Sequence, residues 1–374
     1  MEDIKMANTK AAYAQLKPEL DAAFNAVMEN MEFVNGPQVS SFANKLEKYM
    51  QVRHSIPCVH DTFALHLALK ALELPEGAEV VMPAFNNSSV AEVVMQLGLK
   101  PVFADVLPDS FTLDPAAVEK VITPATSAIV PVHLFGQCAP MNAFMAMAQE
   151  HKLWVVEDAT QSLGAFYAEP GKQAAKSGSI GHIGVTSFFP TKPLPDTGEA
   201  AALFTNDATL AERIQYLTQP EISVTGSISG AALDTLQAAM LEVKIKIMDS
   251  FNRKREGVAH FYDDAFADTE LVQAPVRSPY STHVYHQYTI KVAPELRDGL
   301  QIYLRDNHIP SVVYYPKPLH LQQTFVSLNN KPGDFPVSEK LAQSVLSLPM
   351  HTELKQDQLE YICHHVLNYV HRQA

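Results

Sequence analysis

The sequence predicts an α/β protein: a large domain built on a mainly parallel sheet with helices on both faces, then a smaller α+β domain. Between residues 55 and 205, short apolar runs alternate with stretches of helical periodicity, the pattern of strands joined by crossover helices. At 374 residues the chain is too long for one small core. Beyond residue 252 the pattern changes to a few strands and amphipathic helices. The division falls at 1–250, with an N-terminal helical arm, and 251–374.

Residues 55–59 form the first strand and lead into a helix at 64–69. Residues 79–82 form the next, followed by a loop and a helix around 90–94. Further strands follow at 101–105, 128–132, 154–158, 185–188 and 201–204. In such sheets ligands gather at the carboxyl ends of the strands, which Val59, Met82, Asp158 and Phe188 all approach. Leu233, Leu236, Met240, Val243 and Ile247 follow 3-4-3-4 spacing, one face of a long helix leaving the large domain. The second domain has strands at 288–292 and 311–315, with helices at 295–307 and 355–371.

Composition narrows the function. A net charge of −13 argues against binding nucleic acid or an anionic membrane, since both need clustered Lys and Arg. The densest basic run, residues 252–255, reads as an exposed helix face. Cys58, Cys138 and Cys363 lack paired spacing and read as reduced thiols of a cytoplasmic protein. The N-terminus lacks a signal-peptide pattern, and no apolar stretch is long enough for a membrane span. The histidines fall at no zinc-ligand spacing, His364 and His365 reading as solvated, so no metal is expected. Gly178, Gly181 and Gly184 lack the tight spacing of a dinucleotide loop and read as turn and β-connection.

Two residues carry the chemistry. Asp158 closes the strand at 154–158, and Lys192 follows the apolar run before it. Pyridoxal phosphate chemistry needs this pair: a lysine to hold the aldehyde as a Schiff base, and a carboxylate to keep the pyridine nitrogen protonated.

Lined up, several segments resemble the DegT/StrS family of pyridoxal-phosphate-dependent sugar aminotransferases over essentially the full length. They are FVNGPQV (33–39), PVHLFGQ (131–137), VEDATQSLGA (156–165), TSFFPTK (186–192), HVYHQY (283–288), YPKPLH (315–320) and KPGDFP (331–336). The resemblance implies an aspartate-aminotransferase-like fold, fold type I of these enzymes. It gives Lys192 the Schiff-base role, Asp158 the ring nitrogen and Gln161 a place near the phenolic oxygen. It gives Ser187 and Thr62 the phosphate, counts Asp61 and Phe63, beside Thr62 at a helix start, among the cofactor-binding residues, and sets Asn87 against the ring face. It also implies a homodimer with shared active sites, a keto-sugar nucleotide as acceptor and an amino acid such as glutamate as donor, serving surface polysaccharide or deoxysugar synthesis. Gly136-Gln137 and KPGDFP resemble members that aminate the third carbon of uridine-linked sugars.

The chain also departs from the family. His60-Asp61-Thr62 stands for Ser-Gly-Thr, so a carboxylate replaces a glycine at the phosphate loop. Asn87 stands for the stacking aromatic. Gly230-Ala231-Ala232 stands for the Asn-x-Arg that crosses to the partner's phosphate, after a shortened loop at 218–230. Pro193-Leu194-Pro195 and Gly198-Glu199-Ala200-Ala201 replace the family's Asn-Leu-Gly and Gly-Asp-Gly-Gly. These departures keep open a non-catalytic or regulatory homologue. The family's dehydratases put histidine where Lys192 stands, which disfavours that branch.

Overall fold

The computed structural model describes residues 3–169, 174–188, 198–219, 221–222, 228–229 and 232–373. The chain opens with helices α1 (Thr9–Asn30) and α2 (Pro37–Met50). Then strands and helices alternate: β1 (His54–Cys58), α3 (Asp61–Ala71), β2 (Glu79–Pro83), α4 (Ser89–Gln96), β3 (Lys100–Ala104), α5 (Pro115–Val121), β4 (Thr126–Ile129), α6 (Met141–His151) and β5 (Trp154–Asp158). A short hairpin of β6 (Phe166–Tyr167) and β7 (Ala175–Lys176) leads to β8 (Ile183–Ser187), β9 (Ala201–Thr205) and α7 (Ala208–Leu217). A second short pair, β10 (Glu221–Ile222) and β11 (Ile228–Ser229), precedes α8 (Thr235–Lys244) and α9 (Met248–Phe266). The chain ends with β12 (Tyr288–Lys291), α10 (Pro294–Asp306), α11 (Pro336–Ser344), β13 (Val345–Leu348) and α12 (Gln356–Gln373).

Seven strands make the main sheet, in the order β1-β9-β8-β5-β4-β2-β3. From β8 to β3 all pairings are parallel, as the alternating pattern predicts, while β9 runs antiparallel to both β1 and β8. Strands β2, β8 and β9 are buried along their whole length, because helices cover both faces. Helix starts are written in the sequence: Asp114, Asp207 and Asp234 each accept hydrogen bonds from first-turn amides. Gly36 lies so close to Thr235 that a Cβ there would sit 2.6 Å from its methyl carbon. Its amide donates to Thr235 Oγ1 at 3.0 Å, tying the start of α2 to α8.

The long helix expected over 233–247 is the shorter α8, which ends in a 3₁₀ turn at Ile245–Ile247 that leads into α9. Its deepest residues, Ala238 and Leu241, pack with Phe42, Leu46 and Phe188. Met240 and Val243 instead pack on Leu20 of α1, so that face is covered within the chain. The strand expected at 311–315 is reduced to a single bridge, Val312 to Ser347; β13 takes the place beside β12. Arg255 is buried, not on an exposed face, and burial pushes its guanidinium down to about 10. His365 shares a 3.0 Å hydrogen bond with the Tyr303 hydroxyl and is not freely solvated. A separate core of Tyr262, Tyr288, Leu300, Leu304, Ile362 and Val366 forms beyond residue 250.

Candidate active site

The site forms where β5 ends. Asp158 is its last residue and only 3% exposed. The Thr160 amide (3.1 Å) and hydroxyl (2.7 Å) both donate to Asp158 Oδ1, fixing the carboxylate at the strand edge.

Glu157, one residue back, is fully buried and receives four donors. Oε2 accepts from the Gly178 amide and from His133 Nε2, each at 2.8 Å, and Oε1 accepts from the Ile180 and Gly181 amides. The Ala139 amide donates to His133 Nδ1 at 3.1 Å, so Nε2 carries the proton. The His133 amide in turn donates to the Asp158 carbonyl at 2.9 Å. The glycine segment is thus a turn over 178–182 that binds a buried carboxylate, braces β5 and runs into β8.

Gln161 is buried, and its Oε1 accepts from the Phe135 amide at 3.0 Å. The carbonyl end of the amide is therefore committed. Tyr315 hydrogen-bonds to both Gln161 and Asn87, close to Asp158. Burial pushes its phenol up to about 12; the two hydrogen bonds oppose that shift and Asp158 adds to it. Asn87 Oδ1 also accepts from the Ser89 amide at 3.0 Å, next to the start of α4. Asp158, Gln161 and Asn87 thus converge on one half-buried tyrosine.

The phosphate-loop residues sit at the start of α3, which packs on β5, β8 and β9. His60 Nδ1 accepts from the Phe63 amide at 3.1 Å, and Asp61 Oδ1 from the Thr62 amide at 2.8 Å. The Phe63 ring stacks on His66, its centroid 5.7 Å away. Ser187 ends β8 and is 1% exposed. Lys192, Pro193 to Pro195, Gly230 and Ala231 lie outside the described residues.

Tyr315, His133 and Glu157 lie inside the quoted motifs but had no role from sequence. Their functions depend on contacts between segments far apart in the chain.

The model of the DegT/DnrJ/EryC1/StrS aminotransferase family matches residues 14–367. The chain is 39% identical over 366 residues to a Geobacillus stearothermophilus protein named pleiotropic regulatory protein, covering 96% of each. It is 34% identical over 371 residues to the UDP-2-acetamido-2-deoxy-3-oxo-D-glucuronate aminotransferase of Pseudomonas aeruginosa, covering 96% of this chain and 98% of that one. The crystal structure of a family aminotransferase from Brucella abortus superposes with a TM-score of 0.90 at 35% identity, over 98% and 99% of the two chains. The chain belongs to the DegT/DnrJ/EryC1/StrS aminotransferase family. It is an aminotransferase with fold type I architecture and pyridoxal phosphate as cofactor.

The donor set fits that cofactor unevenly. A buried, oriented carboxylate at Asp158 suits a protonated ring nitrogen. At the phosphate end, the first-turn amides of α3 are already engaged by side chains of the same loop.

Proposed function

We propose that this enzyme transfers an amino group from an amino acid, glutamate in the first instance, to the keto group of a sugar nucleotide, in the synthesis of surface polysaccharide or deoxysugars. The finer form of the proposal is a uridine-linked sugar with its keto group on the third carbon. The Pseudomonas relative, named for such a substrate, supports it. The observation that carries the site assignment is Asp158: a carboxylate at a parallel-strand end, 3% exposed and held by Thr160.

Lys192 would hold the cofactor covalently, and its Nζ would carry the proton transfers. Asp158 would hold the ring nitrogen, Gln161 would orient the ring, and Ser187 and Thr62 would address the phosphate. When bound, the cofactor supplies an electron sink for breaking the bond at the donor's α-carbon. The Tyr315 phenol, pushed up to about 12, is protonated at neutral pH, so it can donate to a substrate or cofactor oxygen.

A cytoplasmic homodimer is part of the same proposal. Met28, Met31, Phe33 and Val34, at the end of α1 and just beyond, are exposed, Met31 at 67% and Val34 at 75%, an apolar strip suited to a second copy. The face of α8 cannot serve, being covered by α1. Three free, buried cysteines suit a reducing compartment. Among the described residues no helix is long and apolar enough to cross a membrane. The division at about residue 250 is supported by the separate core beyond it.

Absorbance tests the function. Protein loaded with pyridoxal phosphate should show a visible band that glutamate bleaches and a uridine-linked 3-keto sugar restores. A band indifferent to every amino acid would refute the reading.

A further inference from the structure

The start of α3 holds an anion of its own. A helix N-terminus leaves its first-turn amides without intrahelical partners, and phosphates bind there for that reason. In this chain those amides are met from within. Thr62 N–H donates to Asp61 Oδ1 at 2.8 Å and Phe63 N–H to His60 Nδ1 at 3.1 Å. The Thr62 hydroxyl also points at Asp61 Oδ1, at 3.4 Å. A phosphate gripping Thr62 would need the amide and hydroxyl that Asp61 already engages, and would meet a like charge beside it.

We propose that Asp61 is an intramolecular competitor for the cofactor's phosphate, so that phosphate enters only as the carboxylate swings off the helix terminus. This rests on the reading of the site as a pyridoxal phosphate pocket and adds a specificity element to it. The pocket discriminates weakly between the phosphorylated cofactor and free pyridoxal, and its occupancy follows the cofactor concentration around it. Asp61 is half-buried at the start of α3.

The test is the dissociation constant of pyridoxal phosphate, and separately of pyridoxal, read from the visible band during titration of apo protein. Asp61→Gly and Asp61→Asn are compared with the unaltered chain. Asp61→Asn keeps an oxygen for Thr62 N–H and removes the charge, and it serves should the glycine variant fold poorly. Removing the competitor should tighten pyridoxal phosphate roughly ten- to a hundredfold in Asp61→Gly, the worth of one charge-assisted hydrogen bond. Asp61→Asn should fall between, and pyridoxal should change by less than about twofold. The proposal is overturned if both variants bind pyridoxal phosphate no more tightly than the unaltered chain, or if pyridoxal tightens equally. In either case the cofactor reading stands, because the band still forms. If no form of the protein takes up pyridoxal phosphate, the proposal and the cofactor reading fall together.

Discussion

Glu157→Gln should be among the most damaging conservative changes in the chain. The two carboxylate oxygens each accept from two donors: Gly178 N–H and His133 Nε2–H on one side, Ile180 and Gly181 N–H on the other. A glutamine keeps one oxygen and turns an NH₂ toward two N–H groups, whichever way it is flipped. The histidine cannot rescue it by shifting its proton, because Nδ1 already accepts from the Ala139 amide. Two hydrogen bonds to a charged group are lost at a fully buried position, a cost of about 3–6 kcal/mol. Denaturant unfolding of the apo protein measures it, with the midpoint falling and the slope unchanged. A loss below about 1 kcal/mol would show that the network does not brace β5, and the account of how Asp158 is held would fail.

Asp105→Ala should cost about 2–3 kcal/mol in the same assay. Its carboxylate accepts from the amides of Val337 and Ser338, each at 2.9 Å, and from the Ser338 hydroxyl at 2.6 Å, capping α11 from the end of β3; an unchanged midpoint would count against that link. His283 is buried and stacked on Tyr285, and burial, with Arg277 adding to it, pushes its pKa down to about 3. The unfolded chain takes up a proton there near pH 6.5 that the folded chain refuses, so stability drains away as pH falls from about 6.5 toward 3. His283→Asn should flatten that stretch of the stability curve, and an equally steep curve would reassign the acid sensitivity. Asp158→Asn should still bind pyridoxal phosphate but react slowly with glutamate in a single turnover, since a neutral amide cannot hold the protonated ring nitrogen. A near-normal rate would remove Asp158 from that role.

The parallel sheet was legible because each buried strand is a short apolar run between helical stretches. The antiparallel course of β9 was not, since a strand buried on both faces reads the same in either direction. Residues 311–315 carry strand-like β-branched and aromatic side chains, yet β13 pairs with β12 in register from Tyr288 to Lys291, a choice made by tertiary packing. The 3-4-3-4 face of residues 233–247 was real as far as Met240 and Val243, but it covers α1. In the site, Asp158 and Gln161 could be read because they sit three residues apart in one motif. Tyr315 meets Gln161 and Asn87 from segments far away in sequence, and the His133–Glu157 pair spans 24 residues. The consequence of Asp61 depended on where its carboxylate turned.

Pyridoxal phosphate chemistry through Lys192 is the reading that every role proposed for the site depends on. Borohydride reduction of the loaded protein, followed by peptide mapping, tests it most directly. One pyridoxyl label is expected, on Lys192, and it should disappear when glutamate is added before the reductant. A label on another lysine, such as Lys317, or one that glutamate leaves untouched, would contradict it.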